Sequence, residues 1–353
     1  MRARPGASLS LLCTLPCLAG GCAGIDSDDP ARALAALSID FSRCGATGCG
    51  VNGPDTDGHG YGELHAGGEV NELGYYISHV AGPSGKRLSL SVANSELVGR
   101  SGPGRILSGS DLVGAVITVR NVQARDVYWT LRVVEYTDVT PYWVGPAETI
   151  PSYRFAASAS GGLETNLCSD GVDDDYEQLH HAFVFEGDRY DRERKTVSQG
   201  TLGSGWFNIA CTGSTASKLL RLRHAQIAAD GDLVTEPAQR QALYKAIVGD
   251  FCGTGEALTE PGVPLFLRLP PGWDWNFGCY VTSHEATWSA GGALCVDVYR
   301  LADDPELAAR LEACGIDACT SDMLTSYWEY GWTRTSNPWI GAPGGDECVM
   351  FGG

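Results

Sequence analysis

The chain has 353 residues, 43% of them hydrophobic, and it carries a formal net charge of −18. This length exceeds one average domain, and this apolar fraction is sufficient for a hydrophobic core that does not depend on disulfides. The negative charge repels phosphate backbones and therefore argues against a nucleic-acid partner.

The N-terminal residues resemble the signal peptide of a bacterial lipoprotein. Arg2 and Arg4 form a positive region, residues 7–18 are largely apolar, and small residues lead up to Cys22. Since the apolar run is too short to cross a bilayer, we predict a cleaved signal over residues 1–21. The resemblance implies a lipid anchor on Cys22 and an outer-membrane lipoprotein that faces the periplasm or the cell surface. The alternative is an ordinary signal peptide cleaved nearby, which leaves Cys22 as a free thiol.

The cysteines that follow the signal form an even set. Ten of them lie beyond Cys22, and an even number is what an oxidising compartment requires. We therefore expect an extracytoplasmic protein in which these ten are disulfide candidates: Cys44, Cys49, Cys168, Cys211, Cys252, Cys279, Cys295, Cys314, Cys319 and Cys348.

Residues 22–72 are rich in glycine and aspartate and predict a tether, and strand patterning starts at about residue 73. Alternating apolar and polar residues, separated by turn-forming residues, predict a β-rich region over 73–200. Its expected strands lie near residues 75–80, 88–92, 113–119, 129–133 and 181–186. One more strand is expected after this region, near residues 205–211. Residues 145–178 show a weaker pattern.

Helical periodicity appears in the C-terminal half. The best helix spans residues 235–251, with Thr235 as its cap, Pro237 in its first turn and Gly253 after its end. A hairpin is expected around residues 291–292, and the other predicted helices lie at 214–225, 305–314 and 323–330. The predicted fold class is α+β: an antiparallel, β-rich and disulfide-stabilised protein with a few helices in its C-terminal half.

Residues 201–300 resemble the ADYC domain, a bacterial family without an established activity that is named for a four-residue motif. Residues 249–252, Gly-Asp-Phe-Cys, stand where the family has Ala-Asp-Tyr-Cys. The strand ending at Cys211 and the hairpin over residues 285–295 resemble the family segments on either side of the motif. Residues 111–115 and 185–190 resemble flanking segments, so the likeness covers about half of the chain.

The resemblance implies export, often as a lipoprotein. It also divides the chain into an ADYC-like domain over 201–300 and a Cys-rich and aromatic C-terminal extension over 301–353. The motif is better explained as structure than as catalysis, since its residues end a helix. We expect a Cys211–Cys252 disulfide that ties this helix to the preceding strand, and we also consider Cys279–Cys295 and Cys314–Cys319.

Motifs for metal binding are incomplete. The cysteines show no C-x2-C pair, and His284-Glu285 begins a zinc-protease pattern in which Trp288 replaces the second histidine. His180 and His181 are adjacent, so on a strand they would face opposite sides and would not easily share an ion. The sequence therefore predicts no metal and no cofactor.

Two acidic segments could bind calcium, and the alternative for each is an acidic loop exposed to solvent. Asp55, Asp57 and Gly58 resemble the middle of an EF-hand loop, but Gly53 and Leu64 occupy its first and last ligand positions. The second segment is acidic without matching a known spacing, and it contains Asp170, Asp173, Asp174 and Asp175.

No catalytic motif is complete, so the sequence favours a protein that is not an enzyme. Ser204 lies between two glycines without the full G-x-S-x-G frame, and no phosphate-binding loop is present. Trp273 and Trp275 lie in a Pro- and Gly-containing loop and are candidates for contact with a glycan or a partner protein. Packing inside a small disulfide-rich region is the alternative for these rings.

We therefore expect a lipid-anchored protein of the cell envelope that acts as a binding or structural module. The candidate partners are the membrane through the lipid, and a glycan or an envelope protein. The competing classes are an envelope hydrolase with an acidic site that is not visible in the sequence, and a calcium-stabilised adhesion module. Two carboxylates in a pocket, one with a raised pKa, would favour the hydrolase.

Overall fold

The structure is a computed structural model that describes most of the chain after residue 52. The described residues are 53–102, 104–124, 126–139, 149–168, 180–222, 236–259, 266–268, 284–297, 299–300, 304–320 and 333–336.

Strands dominate the described residues, and three α-helices and one 3-10 helix accompany them. In chain order the elements are β1 (Leu64–His65), β2 (Tyr75–Ala81), β3 (Ser89–Ala93), β4 (Glu96–Ser101), β5 (Arg105–Ser108), the 3-10 helix (Gly109–Leu112), β6 (Val116–Asn121), β7 (Tyr128–Val139), β8 (Ile150–Ala159), β9 (Thr165–Asn166), β10 (Ala182–Phe185), β11 (Asp188–Asp191), β12 (Thr196–Gln199), β13 (Trp206–Cys211), α1 (Thr215–Arg221), α2 (Pro237–Val248), β14 (Phe266–Arg268), β15 (His284–Ser289), β16 (Gly292–Val296), α3 (Pro305–Cys314) and β17 (Thr333–Ser336).

The largest sheet is antiparallel and has the strand order β1-β13-β10-β8-β7-β6-β2, with β9 paired to β8. Its first and last strands, β1 and β2, also lie against each other, so the sheet curls toward closure. The inside of the curl is apolar because alternate residues point inward, among them Ile117, Val119, Leu131 and Val133. The small sheet β3-β4-β5 packs against the same core through Leu97 and its neighbours.

The outer face of this sheet supports the helical layer. Phe183, Phe185 and Ala210 turn away from the curl and join one core with the apolar residues of α1 and α2. A second sheet, with the order β14-β17-β15-β16, contacts the far side of α2. The helix α2 therefore lies between two sheets. These observations confirm the α+β, antiparallel and disulfide-stabilised fold class.

The helix α2 ends earlier than the sequence predicts. Gly249, not Gly253, follows its last residue and adopts a left-handed φ of 67°. A Cβ atom at this position would lie 2.8 Å from the carbonyl oxygen of Leu258, so both the backbone angle and the close approach favour glycine. Pro237 occupies the first turn as expected, whereas Thr235 lies outside the described residues.

Most predicted strands and helices are present, and the main omission is β8. Pro151 interrupts the alternation of apolar and polar residues in this strand. In the structure the neighbours Ser152 and Tyr153 are both buried, so burial does not alternate strictly either. The sequence analysis also missed eight shorter strands, which are β1, β4, β5, β9, β11, β12, β14 and β17. The predicted helix over 323–330 lies outside the described residues.

Residues 53–72, which the sequence analysis placed in the tether, lie on the folded body. The carbonyl oxygens of Asp55 and Thr56 accept hydrogen bonds from the amides of Thr215 and Ala216, at 2.8 and 2.9 Å. These amides belong to the first turn of α1 and have no partner within the helix. The tether assignment is therefore wrong for this part, because the segment completes a helix terminus.

Candidate functional site

The helix α2 is unusual because it is buried on nearly all sides and yet carries polar side chains. Gln239, Arg240, Gln241 and Lys245 are all buried. Buried charges are costly unless they are paired and hydrogen-bonded, so the position of each partner is closely constrained around this helix. In the part of the chain that the structure describes, three buried ion pairs surround this helix, and one of them contains the carboxylate of the family motif.

The first pair joins α2 to β11. Arg240 donates to both carboxylate oxygens of Asp188, with Nε–Oδ2 at 2.6 Å and Nη2–Oδ1 at 2.9 Å, and both side chains are fully buried. Asn208 Nδ2 donates to the carbonyl oxygen of Asp188 at 2.7 Å, which ties the pair to β13. Burial raises the pKa of Asp188, although the ion pair with Arg240 opposes this shift.

The second pair lies within the motif. Asp250 follows the end of α2, and its Oδ2 accepts hydrogen bonds from Lys245 Nζ and, at 2.9 Å, from the amide of Gly255. Lys245 Nζ also donates to the carbonyl oxygen of Arg194 at 3.0 Å, in the turn between β11 and β12. The Lys245–Asp250 pair therefore joins the helix end, the loop that follows it and a neighbouring hairpin.

The third pair satisfies the C-terminus of α2. Arg300 donates to Glu285 through Nε and Nη2, at 2.7 and 2.8 Å, and both side chains are fully buried. The same Nη2 reaches the carbonyl oxygen of Ala246 at 2.8 Å, one of the carbonyls that a helix end leaves without an intrahelical partner. Glu285, which began the incomplete zinc-protease pattern, is thus held in an internal ion pair.

The motif ring and the motif backbone also face inward. Phe251 is buried and packs on Trp288 with ring centroids 4.7 Å apart, and Arg300 lies over its ring at 5.5 Å. The amide of Ala293 donates to the carbonyl oxygen of Phe251 at 2.9 Å, which fixes the motif to the β15–β16 hairpin. The ring thus contributes packing and a cation–π contact.

The motif cysteine completes the arrangement by a covalent link. Cys252 pairs with Cys314 at the end of α3, with Cα atoms 5.6 Å apart. All four motif residues therefore have a structural role: Gly249 ends the helix, Asp250 ties the helix to the following loop, Phe251 packs on Trp288 and Cys252 forms a disulfide.

Two further disulfides lie within the described residues, and none of the three pairings suggested from the sequence is correct. Cys168 pairs with Cys211, and Cys295 pairs with Cys319, with Cα–Cα distances of 5.3 and 4.8 Å.

The physical reason is the position of each cysteine in the fold. Cys211 ends β13 beside the segment that follows β9, so it meets Cys168 and cannot pair with Cys252. The helix α3 brings Cys314 to the motif loop, and the residues after it bring Cys319 to β16, so these two do not pair with each other. Cys295 is therefore not available to Cys279.

Several predicted site residues lie outside the described residues, and their roles stay predictions. They are Cys22, Cys44, Cys49, Cys279, Cys348, Trp273, Trp275 and the acidic residues of segment 170–175.

The described part of the calcium alternative is engaged in internal contacts. Asp57 Oδ1 accepts from the amides of His59 and Gly60 at 3.2 and 3.3 Å, and it lies 3.3 Å from Arg192 Nη2. Across the described ranges no group of three or more His, Cys, Asp or Glu residues is placed to hold a metal ion. In this segment, therefore, Asp57 organises a turn.

The backbone of the candidate nucleophile Ser204 and one histidine of the adjacent pair have internal hydrogen-bond partners. The carbonyl oxygen of Ser204 accepts from His65 Nε2 at 2.9 Å, within the turn before β13. His181 is buried, and its Nδ1 lies 3.2 Å from the hydroxyl of Ser152. The neighbouring His180 Nδ1 is buried without a hydrogen-bond partner in the described structure.

One acidic site was not found from the sequence. Glu63 precedes β1 and pairs with Arg189 Nε at 2.8 Å, and Arg189 lies over the ring of Trp206 at 5.1 Å. Burial raises the pKa of Glu63 to about 7, and the nearby Glu72 contributes to this rise while Arg189 opposes it. A single glutamate in a glycine-rich segment carries no signal of this environment, because its partner lies in β11.

The comparison with known families agrees with this geometry. The sequence profile of the ADYC domain matches residues 109–302, more than half of the chain, and the protein therefore belongs to the ADYC domain family. The matched range includes all three ion pairs and most of the large sheet. No curated protein and no solved structure matches the chain. Among the described residues, none of the helices has the length and apolarity needed to cross a bilayer.

Proposed function

We propose that the protein is exported, carries a lipid anchor on Cys22 and acts as a binding or structural module of the cell envelope. The observation that carries the proposal is the set of three disulfides, Cys168–Cys211, Cys252–Cys314 and Cys295–Cys319. Disulfides persist in oxidising compartments and are rare in the cytosol, which supports an extracytoplasmic site of folding.

The contacts of the family motif support a module rather than a catalyst. Asp250 is fully buried, and Phe251 and Cys252 are engaged by Trp288 and Cys314. A catalytic group must reach its substrate, and these groups are directed into the protein. The motif therefore specifies a rigid body, and its surface is where we expect the protein to act.

Fractionation after metabolic labelling tests this proposal. The full-length chain is expressed in a Gram-negative host with a labelled fatty acid, and the label is expected on the mature protein in the outer-membrane fraction. Cys22→Ser is the test variant, and Cys13→Ser, inside the predicted signal, is its matched control. Loss of the label in the first variant alone supports the anchor. A labelled Cys22→Ser protein, or a cytosolic chain with free thiols, would overturn the proposal.

One observation favours the hydrolase alternative. Burial raises the pKa of Glu63 to about 7, and a second carboxylate, Glu72, adds to this rise, as a general acid would require. Glu63→Gln, compared with Glu164→Gln on the exposed Arg132 pair, tests this function on a panel of envelope polysaccharides and peptides. Turnover that is lost only in Glu63→Gln supports a hydrolase, and equal turnover in both variants and the wild type removes Glu63 from consideration.

A further inference from the structure

Exposed apolar side chains cluster at one end of the large sheet. Seven large apolar residues are exposed in the described structure, and five of them lie in three loops at this end. We call them the loop-end surface: Val70, Leu73, Val122, Val127 and Leu163. The two others, Ile106 and Val113, lie on β5 and after the 3-10 helix.

Backbone and side-chain hydrogen bonds join the first two loops. The amide of Val122 donates to the carbonyl oxygen of Gly74 at 2.9 Å, and Asn121 Nδ2 donates to that of Leu73 at 3.1 Å. These bonds place the loop before β2 directly beside the turn that joins β6 and β7. Leu73 and Val122 are therefore neighbours.

The third loop lies on the other side of the β6–β7 turn. The amide of Ser160 donates to the carbonyl oxygen of Tyr128 at 2.7 Å, which places the β8–β9 turn beside the start of β7. Leu163, at the tip of this turn, is 93% exposed. One exposed leucine is ordinary on a protein surface, but together with the four other exposed apolar residues of these loops it forms a candidate contact surface.

The first loop is held in the conformation that presents its apolar residues. Asn71 is buried and donates through Nδ2 to the carbonyl oxygens of Tyr61 and Glu63, at 2.8 and 2.6 Å. Its Oδ1 accepts from the amide of Tyr75 at 2.8 Å. A preformed surface loses less conformational entropy when it binds, which favours a docking role for this loop.

The charges around the surface select the kind of partner. The three loops carry four carboxylates. Glu69 precedes Val70, Glu72 precedes Leu73 and Asp126 precedes Val127. Arg125 is the one basic residue in the sequence of these loops. The fourth carboxylate, Glu164, pairs with Arg132, and Glu69 lies 3.6 Å from His65 Nε2. The edge is therefore acidic, in a chain whose net charge is −18. An acidic edge repels anionic lipid and attracts lysine and arginine.

We infer that the loop-end surface docks a protein partner whose contact face combines apolar side chains with lysine or arginine. The apolar loops supply the centre of the contact and the carboxylates supply its polar edge, as in other protein interfaces. This inference names a surface for the proposed binding module and rests on that proposal. Its test uses purified protein, so its failure is distinct from a failure of the export and lipidation experiment.

The experiment uses the full mature chain and two short amphipathic helical peptides, one of leucine and lysine and the other of leucine and glutamate. Calorimetry is expected to show binding of the lysine peptide only. Leu163→Ser and Leu73→Ser are each expected to weaken this binding by about tenfold, as loss of an apolar anchor does. Glu72→Lys is expected to weaken it as well, whereas the matched control Ile106→Ser leaves it unchanged.

Three results would overturn the inference. The first is equal binding of the two peptides, and the second is equal binding by the control and the loop-end variants. The third is a loop-end surface that instead drives self-association or binding to phosphatidylcholine vesicles, seen as sedimentation that Leu163→Ser abolishes. Circular dichroism of each variant verifies the fold; Leu163 is so exposed that its replacement is not expected to alter it.

Discussion

The guanidinium of Arg300 donates to the carbonyl oxygen of Ala246 at 2.8 Å and thereby joins the residues after β16 to the last turn of α2. The same guanidinium pairs with Glu285 on β15 and lies over the rings of Phe251 and Trp288. One side chain thus connects the second sheet, the helix terminus and the family motif.

We expect Arg300→Met to lower the free energy of unfolding by about 3–5 kcal/mol, because it leaves Glu285 charged and buried without its partner. Urea unfolding followed by circular dichroism measures the loss. The double variant Glu285→Leu/Arg300→Met is expected to recover part of it, since no buried charge remains. Arg310→Met, which removes the exposed Arg310–Glu256 pair, is the control and should cost less than about 1 kcal/mol. Equal losses in the two arginine variants would contradict this role.

The end of α2 allows a test of a single close approach. Gly249→Ala introduces a Cβ atom 2.8 Å from the carbonyl oxygen of Leu258 at a φ of 67°. Gly315→Ala, after α3, has a φ of 65° and meets nothing within 4 Å. The control Gly315→Ala should lower the free energy of unfolding by about 1 kcal/mol, from the backbone angle alone. Gly249→Ala should lower it by at least about 1 kcal/mol more, because of the steric contact. Thermal unfolding of both variants measures the difference, and equal losses would remove the steric contribution.

The raised pKa of Glu63 predicts a pH dependence of stability. Its folded pKa of about 7 exceeds the ordinary 4.5, so between these values the folded chain binds more protons than the unfolded chain. The free energy of unfolding therefore falls as the pH rises through this window, by on the order of 1–3 kcal/mol. Glu63→Gln cannot ionise, so its urea midpoint should change less between pH 5 and pH 8 than that of the wild type.

Glu164→Gln is the control for the pH experiment. The side-chain hydrogen bond from Arg132 lowers the pKa of Glu164, so this carboxylate titrates below the window. Its replacement should leave the difference between pH 5 and pH 8 as it is in the wild type. A flat stability profile of the wild-type protein over this range would contradict the environment described for Glu63.

The Cys252–Cys314 disulfide is expected to hold α3 on the protein. Only Leu307 and Leu311 of this helix are buried, so apolar contact contributes little to its attachment. We expect the double variant Cys252→Ser/Cys314→Ser to lose about 2–5 kcal/mol of stability and to be cleaved faster by trypsin at Arg310. The matched control, Cys168→Ser/Cys211→Ser, should lose similar stability without faster cleavage there. Unchanged cleavage at Arg310 in the first variant would show that the helix is held by other contacts.

Local patterns in the sequence were sufficient for much of the fold. The alternation of Val119, Leu131 and Val133 with polar residues predicted β6 and β7, and Pro237 marked the start of α2. The β15–β16 hairpin was also predicted, from its paired glycines. These elements are encoded by neighbouring residues, so periodicity and turn chemistry reveal them.

The site depended on contacts that no local pattern contains. Asp188 and Arg240 are 52 residues apart, and Cys252 and Cys314 are 62 apart. Their pairing follows from the order of strands and the position of α3, which the sequence does not specify. The disulfide suggestions failed for this reason, since ten cysteines permit many connectivities and nearness in the chain does not select among them.

The boundaries of the family match do not coincide with those of the folding unit. Gly53 donates to the carbonyl oxygen of Ile247 at 3.4 Å, and Asp55 and Thr56 complete the first turn of α1, although the match begins at residue 109. A polypeptide trimmed to the matched residues would leave the amides of Thr215 and Ala216 in α1 without these partners and would remove the contact of Gly53 with the end of α2. A fragment of this domain should therefore start before Gly53, because the range that identifies the family is shorter than the range that completes the fold.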